Sequence, residues 1–188
     1  YWRRRGLDDK TIVRFGLGYA PNDGQALYQY LRDKGYNQQE LDASGLFKRS
    51  QSGRIYCLFW KRVMTPIFDL RGNIIAFGGR VMDDSKPKYV NSPETLVYHK
   101  SETVFAMQIA KRSASRRFVL CEGYMDVISM QQAGIDTAVC ACGTALTPGQ
   151  VRIISEYADE VILSYDSDEA GQKATCLLYT SPSPRDKR

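Results

Sequence analysis

One histidine in 188 residues, and five cysteines that form neither an even set nor a framework spacing, are the first things to notice about this sequence. With no partners evident around it, His99 reads as positional rather than catalytic. The odd cysteine count argues against a disulfide scaffold, and Cys140-Ala141-Cys142 lacks the second ligand pair that a structural zinc site requires. The cysteines are therefore expected to be reduced packing residues. No run approaches the roughly 20 apolar residues of a membrane helix. Tyr1-Trp2-Arg3-Arg4-Arg5 also lacks the apolar stretch of a secretory signal, so a cytoplasmic chain without membrane contact is expected.

What is present is enough to fold. With 43% hydrophobic and 25% charged residues, the chain can bury a core in one domain or two small ones. The formal charge of +5 is modest, but it is unevenly spread: residues 46–120 carry 14 Lys/Arg against 5 Asp/Glu, and residues 121–175 carry 2 against 9. A basic segment attracts a polyanion by releasing its counterions, whereas clustered carboxylates suit divalent cations. Side by side they point to chemistry on a polyanion, against the plainer reading of solvated charge.

The opening reads as helical. Asp8-Asp9 ahead of Lys10 to Phe15 predicts a short helix with acids in its first turn, ending near Gly16 and Gly18. A turn at Pro21-Asn22-Asp23-Gly24 follows, then an amphipathic helix through Ala26, Leu27, Tyr30 and Leu31, and a brief helix capped by Asn37. Residues 62–69 and 74–77, joined by Leu70-Arg71-Gly72-Asn73, predict an antiparallel hairpin. Pro66 should put its first strand at an edge or a bulge, because proline cannot donate to a ladder. Gly78-Gly79 reads as a strand-end turn or bulge rather than a phosphate cradle, and Tyr56, Phe59, Trp60 and Phe68 as core rather than base-stacking residues. After Ser101, strands at 118–121, 137–140 and 161–165 alternate with helices at 124–132 and 147–157, the signature of a parallel α/β unit.

Glu122 directly follows one of those strands and Asp166 another, with Asp168 two residues on and Asp126 one helical turn after Glu122. Ligands bind at the carboxyl ends of parallel strands, so these acids can converge. Two carboxylates 4 Å apart repel by roughly 4 kcal/mol at an effective dielectric of 20, which bound cations relieve. Oxygen ligands without nearby histidine favour Mg²⁺ or Mn²⁺. Taken singly, each acid reads as a solvated loop residue; their combination is the signal.

Cys121-Glu122-Gly123-Tyr124-Met125-Asp126, then Ala141-Cys142-Gly143-Thr144-Ala145, then Tyr165-Asp166-Ser167-Asp168-Glu169-Ala170-Gly171 together resemble the TOPRIM module of primases and topoisomerases. Phe77-Gly78-Gly79-Arg80, Lys88-Tyr89-Val90-Asn91-Ser92-Pro93-Glu94-Thr95, His99-Lys100, Arg5-Gly6-Leu7, Arg14-Phe15 and Gly18-Tyr19-Ala20-Pro21 are similar to the bacterial DNA primase core, over residues 1–175 in all. The resemblance implies an α/β fold: a mixed α+β basic subdomain over 1–115, then a partial, Rossmann-like parallel-sheet TOPRIM subdomain over 116–175. Residues 176–188 are expected to be a non-native or disordered tail. It implies a nucleotidyltransferase that makes RNA primers on single-stranded DNA from ribonucleoside triphosphates. Glu122 would be catalytic, as metal ligand or proton acceptor, with Asp166 and Asp168 holding Mg²⁺ or Mn²⁺ and Asp126 in support. Arg14, Arg80, Lys88, Asn91 and Lys100 would contact template and nucleotide. The family's zinc-binding domain and helicase-interaction domain are expected to lie outside this chain, as is a further acidic pair of the metal site, so a monomeric core of feeble or no activity is expected. The rival readings are a TOPRIM nuclease or topoisomerase relative, and a non-catalytic nucleic-acid-binding module.

Overall fold

The computed structural model describes residues 1–143 and 145–165, which fall into two units, Tyr1–His99 and Lys100 onward. Asp166, Asp168, Thr144 and the tail at 176–188 therefore lie outside the described residues.

In the first unit, a 3-10 turn at Arg3–Arg5 leads to α1 (Asp9–Arg14), β1 (Gly18–Ala20), α2 (Ala26–Asp33) and α3 (Gln38–Ala43). The strands β2 (Phe47–Arg49), β3 (Ile55–Cys57), β4 (Arg62–Phe68), β5 (Ile74–Val81) and β6 (Tyr89–Asn91) complete it. The helix starts follow capping chemistry. Asp8 accepts from the Thr11 N–H at 2.7 Å, and Asn37 and Glu40 exchange a reciprocal pair of bonds. Asp69 ties the hairpin turn, one carboxylate oxygen accepting from the Arg71 and Asn73 N–H groups, while Gly72 takes φ +95°.

The main sheet of this unit runs β1-β4-β5-β6, antiparallel throughout, and β2 and β3 form a separate hairpin. β4 is interior where β1 covers Arg62 to Met64, but beyond that point β5 is its partner; Pro66 sits in this single-sided stretch, next to the register shift at Ile67/Phe68. Gly78 and Gly79 lie inside β5 rather than at its end. A Cβ on Gly79 would stand 2.8 Å from the Phe59 ring and 3.1 Å from Arg62 Cδ, so the glycine is there to admit those two side chains. Phe59 is buried as expected and Phe68 partly so, whereas Tyr56 and Trp60 are exposed at 36% and 48%: the expected core placement fails for these two, which lie in and just after the two-stranded hairpin rather than in the main sheet.

The second unit begins with a 3-10 turn at Lys100–Glu102, then β7 (Val104–Phe105), α4 (Met107–Ala110), β8 (Arg117–Cys121), α5 (Tyr124–Gln132), β9 (Ala138–Ala141), α6 (Pro148–Tyr157) and β10 (Glu160–Ser164). Its sheet order is β10-β8-β9-β7, with β8 parallel to both β9 and β10 and β7 antiparallel at one edge. The expected parallel unit thus carries one antiparallel edge strand, and pairing of β7 with β9 draws residues 100–115 into this unit. Phe118, Leu120, Val127, Ile128, Val139 and Ile154 are buried in its core. Each full side-chain burial of this kind stabilises by about 1.5–3 kcal/mol.

Candidate functional site

β8 is flanked by β9 on one side and β10 on the other, so the connections after β8 and after β9 lead to opposite sides of it. The carboxyl ends of such diverging parallel strands form the crevice where open α/β sheets bind ligands. Two features stand there. Glu122 leaves the end of β8 as an exposed carboxylate, and Tyr165 follows β10, half-buried. Burial, first of all, pushes the Tyr165 phenol up to about 12, with smaller electrostatic contributions from Cys140, Cys121 and Glu122. The chain runs from Tyr165 directly into Asp166-Ser167-Asp168.

Asp126 sits in the first turn of α5, and its carboxylate accepts from the Gly123 N–H at 3.0 Å. That bond fixes the turn between Glu122 and the helix and puts negative charge at a helix N-terminus. Beneath the turn lie buried thiols. Cys121 and Cys140 are register partners across β8 and β9; burial and then the nearby Asp126 raise the Cys121 thiol to about 11, and burial raises Cys140 well above its ordinary value. They remain protonated at neutral pH. Among the described residues no group of three or more His, Cys, Asp or Glu side chains is gathered to hold a metal ion.

The basic residues divide between the units. In the first, β5 and β6 bring Arg80 opposite Tyr89 and Gly78 opposite Asn91, which sets Arg80, Tyr89 and Asn91 on one face of the sheet. Arg80 donates to the Tyr1 hydroxyl at 2.6 Å, the Tyr89 hydroxyl at 3.1 Å and the Val81 carbonyl at 3.2 Å, and lies 5.6 Å from each tyrosine ring centroid. Its guanidinium is thus held between two aromatic faces. Lys88 is exposed just ahead of β6, with its ammonium 6.0 Å from the Tyr89 ring. Arg14 ends α1 on the exposed side. Lys100 lies in the 3-10 turn that opens the second unit, and His99 stands 3.3 Å from the Glu94 carboxylate.

The roles of Tyr1, Tyr89 and Tyr165 were not read from the sequence. Tyr89 is next to Lys88 in sequence, but its hydroxyl meets Arg80 through the β5/β6 register. Tyr1 reaches the same guanidinium from the far end of the unit.

Comparison with known proteins places these features. Residues 1–111 match the family described as DNA primase catalytic core, N-terminal domain, and residues 119–181 match a Toprim-like family. The chain is 45% identical to the DNA primase of Clostridium acetobutylicum over 93% of its own length and 29% of that protein's. It is 38% identical to the DNA primase of Escherichia coli K12 over 98% of its length and 32% of the relative's. The chain thus spans less than a third of the curated relatives it matches. A solved DnaG primase catalytic domain bound to ssDNA superposes with TM-score 0.85 at 38% identity, over 96% of this chain and 59% of that one. The RNA polymerase domain of Mycobacterium tuberculosis primase DnaG gives 0.87 at 34% identity, over 96% and 62%. With the first of those family matches covering 111 of its 188 residues, this chain belongs to the DNA primase catalytic core family.

Proposed function

We propose that this chain is the part of a DNA primase that holds template and nucleotide and carries the catalytic glutamate for RNA primer synthesis on single-stranded DNA. The observation that supports this most is the position of Glu122, at the carboxyl end of the strand where the sheet order diverges. The described donors fit a hard cation: Glu122 and Asp126 offer oxygen, and the neighbouring thiols are buried and protonated. On this reading Glu122, Asp166 and Asp168 would hold Mg²⁺ or Mn²⁺ with Asp126 in support, and the ions would supply positive charge to offset the triphosphate and to make the attacking 3′-hydroxyl more acidic.

The chain's own residues orient the reactants. Arg80, its Nε and Nη1 engaged by Tyr89, Tyr1 and the Val81 carbonyl, would meet a phosphate oxygen through Nη2, whereas Lys88, Lys100 and Arg14 add positive charge and Asn91 a neutral donor. Glu122 either ligates metal or accepts the proton of the incoming hydroxyl. Zinc and a replicative helicase are, on this reading, partners of other parts of the whole protein.

The test is primer synthesis on single-stranded template by the whole protein, with Glu122→Gln and Asp166→Ala/Asp168→Ala as variants. Both should abolish ribonucleotide incorporation while retaining single-stranded DNA binding, and the double variant should also lose Mg²⁺ or Mn²⁺ binding by calorimetry. Wild-type synthesis by Glu122→Gln would overturn the catalytic assignment. Strand cleavage without any need for ribonucleotides would favour a cutting enzyme of the same fold.

A further inference from the structure

At the 3-10 turn Lys100–Glu102 the Thr103 N–H reaches the Lys100 carbonyl at 3.5 Å. That is the outer limit of a hydrogen bond. The turn is also gripped by the first turn of α6. Gln150, with 0% of its surface exposed, donates both amide hydrogens across it, to the Lys100 carbonyl at 2.7 Å and to the Thr103 carbonyl at 2.9 Å. Its amide oxygen accepts from the Thr147 N–H at 3.0 Å, so every polar atom of the side chain is used. Thr147 adds a third contact, its hydroxyl donating to the Ser101 carbonyl. Between them, Gly149 lies so close that a Cβ there would stand 2.6 Å from the Ser101 oxygen. The carbonyls of Lys100 and Ser101 in the turn, and of Thr103 just after it, thus all accept from α6 or its N-cap.

A buried amide spanning the carbonyls of residues 100 and 103 fixes the backbone from which the Lys100 side chain starts. Lysine is a point charge on a flexible stem, and its hold on a phosphate weakens when its root is free to wander. We infer that Gln150 is a positioning residue for Lys100, acting through the Lys100–Glu102 turn, with Thr147 as its second strut. This rests on the reading above that Lys100 contacts nucleic-acid or nucleotide phosphate.

The experiment measures binding of a fluorescently labelled single-stranded oligothymidylate to this chain by anisotropy across a salt series. The proteins are wild type, Lys100→Ala, Gln150→Leu, Thr147→Val and the Lys100→Ala/Gln150→Leu double variant, each checked for native circular dichroism. One lost phosphate contact flattens the dependence of log K on log salt by about 0.7 for a single strand. Lys100→Ala should show that change, Gln150→Leu should weaken binding and flatten the slope in the same direction, and the double variant should be no worse than Lys100→Ala alone. Thr147→Val should do the same to a smaller extent, which keeps the test decisive if Gln150→Leu does not fold. An unchanged slope in Lys100→Ala overturns the role given to Lys100. A Lys100→Ala effect together with losses that add fully in the double variant, or with wild-type binding by folded Gln150→Leu and Thr147→Val, overturns the positioning role and leaves that of Lys100 standing.

Discussion

Replacing Gly149 by alanine sets two effects of opposite sign against each other. Alanine is the better helix former, by about 1 kcal/mol in a helix interior. Against this, the added methyl would lie 2.6 Å from the Ser101 oxygen, where carbon–oxygen contacts are ordinarily about 3.3 Å or longer. The obstacle is backbone, which cannot swing aside as a side-chain tip can, so α6 must move away from the Lys100–Glu102 turn by roughly the missing distance. Such a shift spoils the two Gln150 bonds and the Thr147 bond together. At about 1 kcal/mol of net stability for each, the loss is about 3 kcal/mol before the propensity gain and about 2 after it. In a unit of this size 1 kcal/mol moves the midpoint by roughly 4–8 °C, so Gly149→Ala should lower Tm by about 10 °C or more in a calorimetric scan. Gly18→Ala is the control, since nothing lies within 4 Å of its added methyl. A Tm for Gly149→Ala at or above wild type would refute the close packing of α6 on the turn.

Arg62 is buried and donates to the Pro87 carbonyl at 2.9 Å and the Lys88 carbonyl at 3.3 Å. Burial lowers its pKa, partly offset by Asp83. Arg62→Met keeps much of the stem but strips the donors, and should destabilise by about 1–3 kcal/mol in urea titrations; a change within about 0.5 kcal/mol would mean that the two carbonyls find other partners. Asp8, Asp69 and Asp83 all sit below the ordinary carboxylate value of 3.8: Asp8 chiefly through the Thr11 N–H, Asp69 through Asn73, and Asp83 through Lys61 and Ser85. Because their folded pKa values are depressed, the stability they lend is fully present at neutral pH and is lost as pH falls through the folded values. Acid titration of Tm from about pH 5 to about pH 2 should show that decline, less steeply in Asp8→Asn; a flat or rising Tm would contradict the cause assigned to these shifts.

Local chemistry was the legible part of this fold. Asp8 and Asn37 announced helix starts, Thr147 with Pro148 announced α6, and the 124–132 helix appears between the residues expected. These features depend on neighbours a few positions away. The strands β1, β6 and β7, of two or three residues each, are too short to carry a period and exist through their partners, so β7 turned an all-parallel expectation into a mixed sheet. Register was equally hidden. Arg80, Lys88 and Asn91 were singled out as binding residues, but the two tyrosines that hold Arg80 follow from which residues lie across the sheet. Glu122 was placed at a strand end from the pattern alone, and its strand is the one between two parallel neighbours.

That placement has a kinetic side. Among the described residues β8 is braced by β9 and β10 and is largely buried, whereas β10 pairs with β8 alone and exposes Val161 and Ile162 at 41% and 43%. Backbone amides held from both sides open to deuterium through larger unfolding events than those held from one. Amides at the end of β8, beside Glu122, should therefore exchange more slowly than those of β10, which leads to Tyr165.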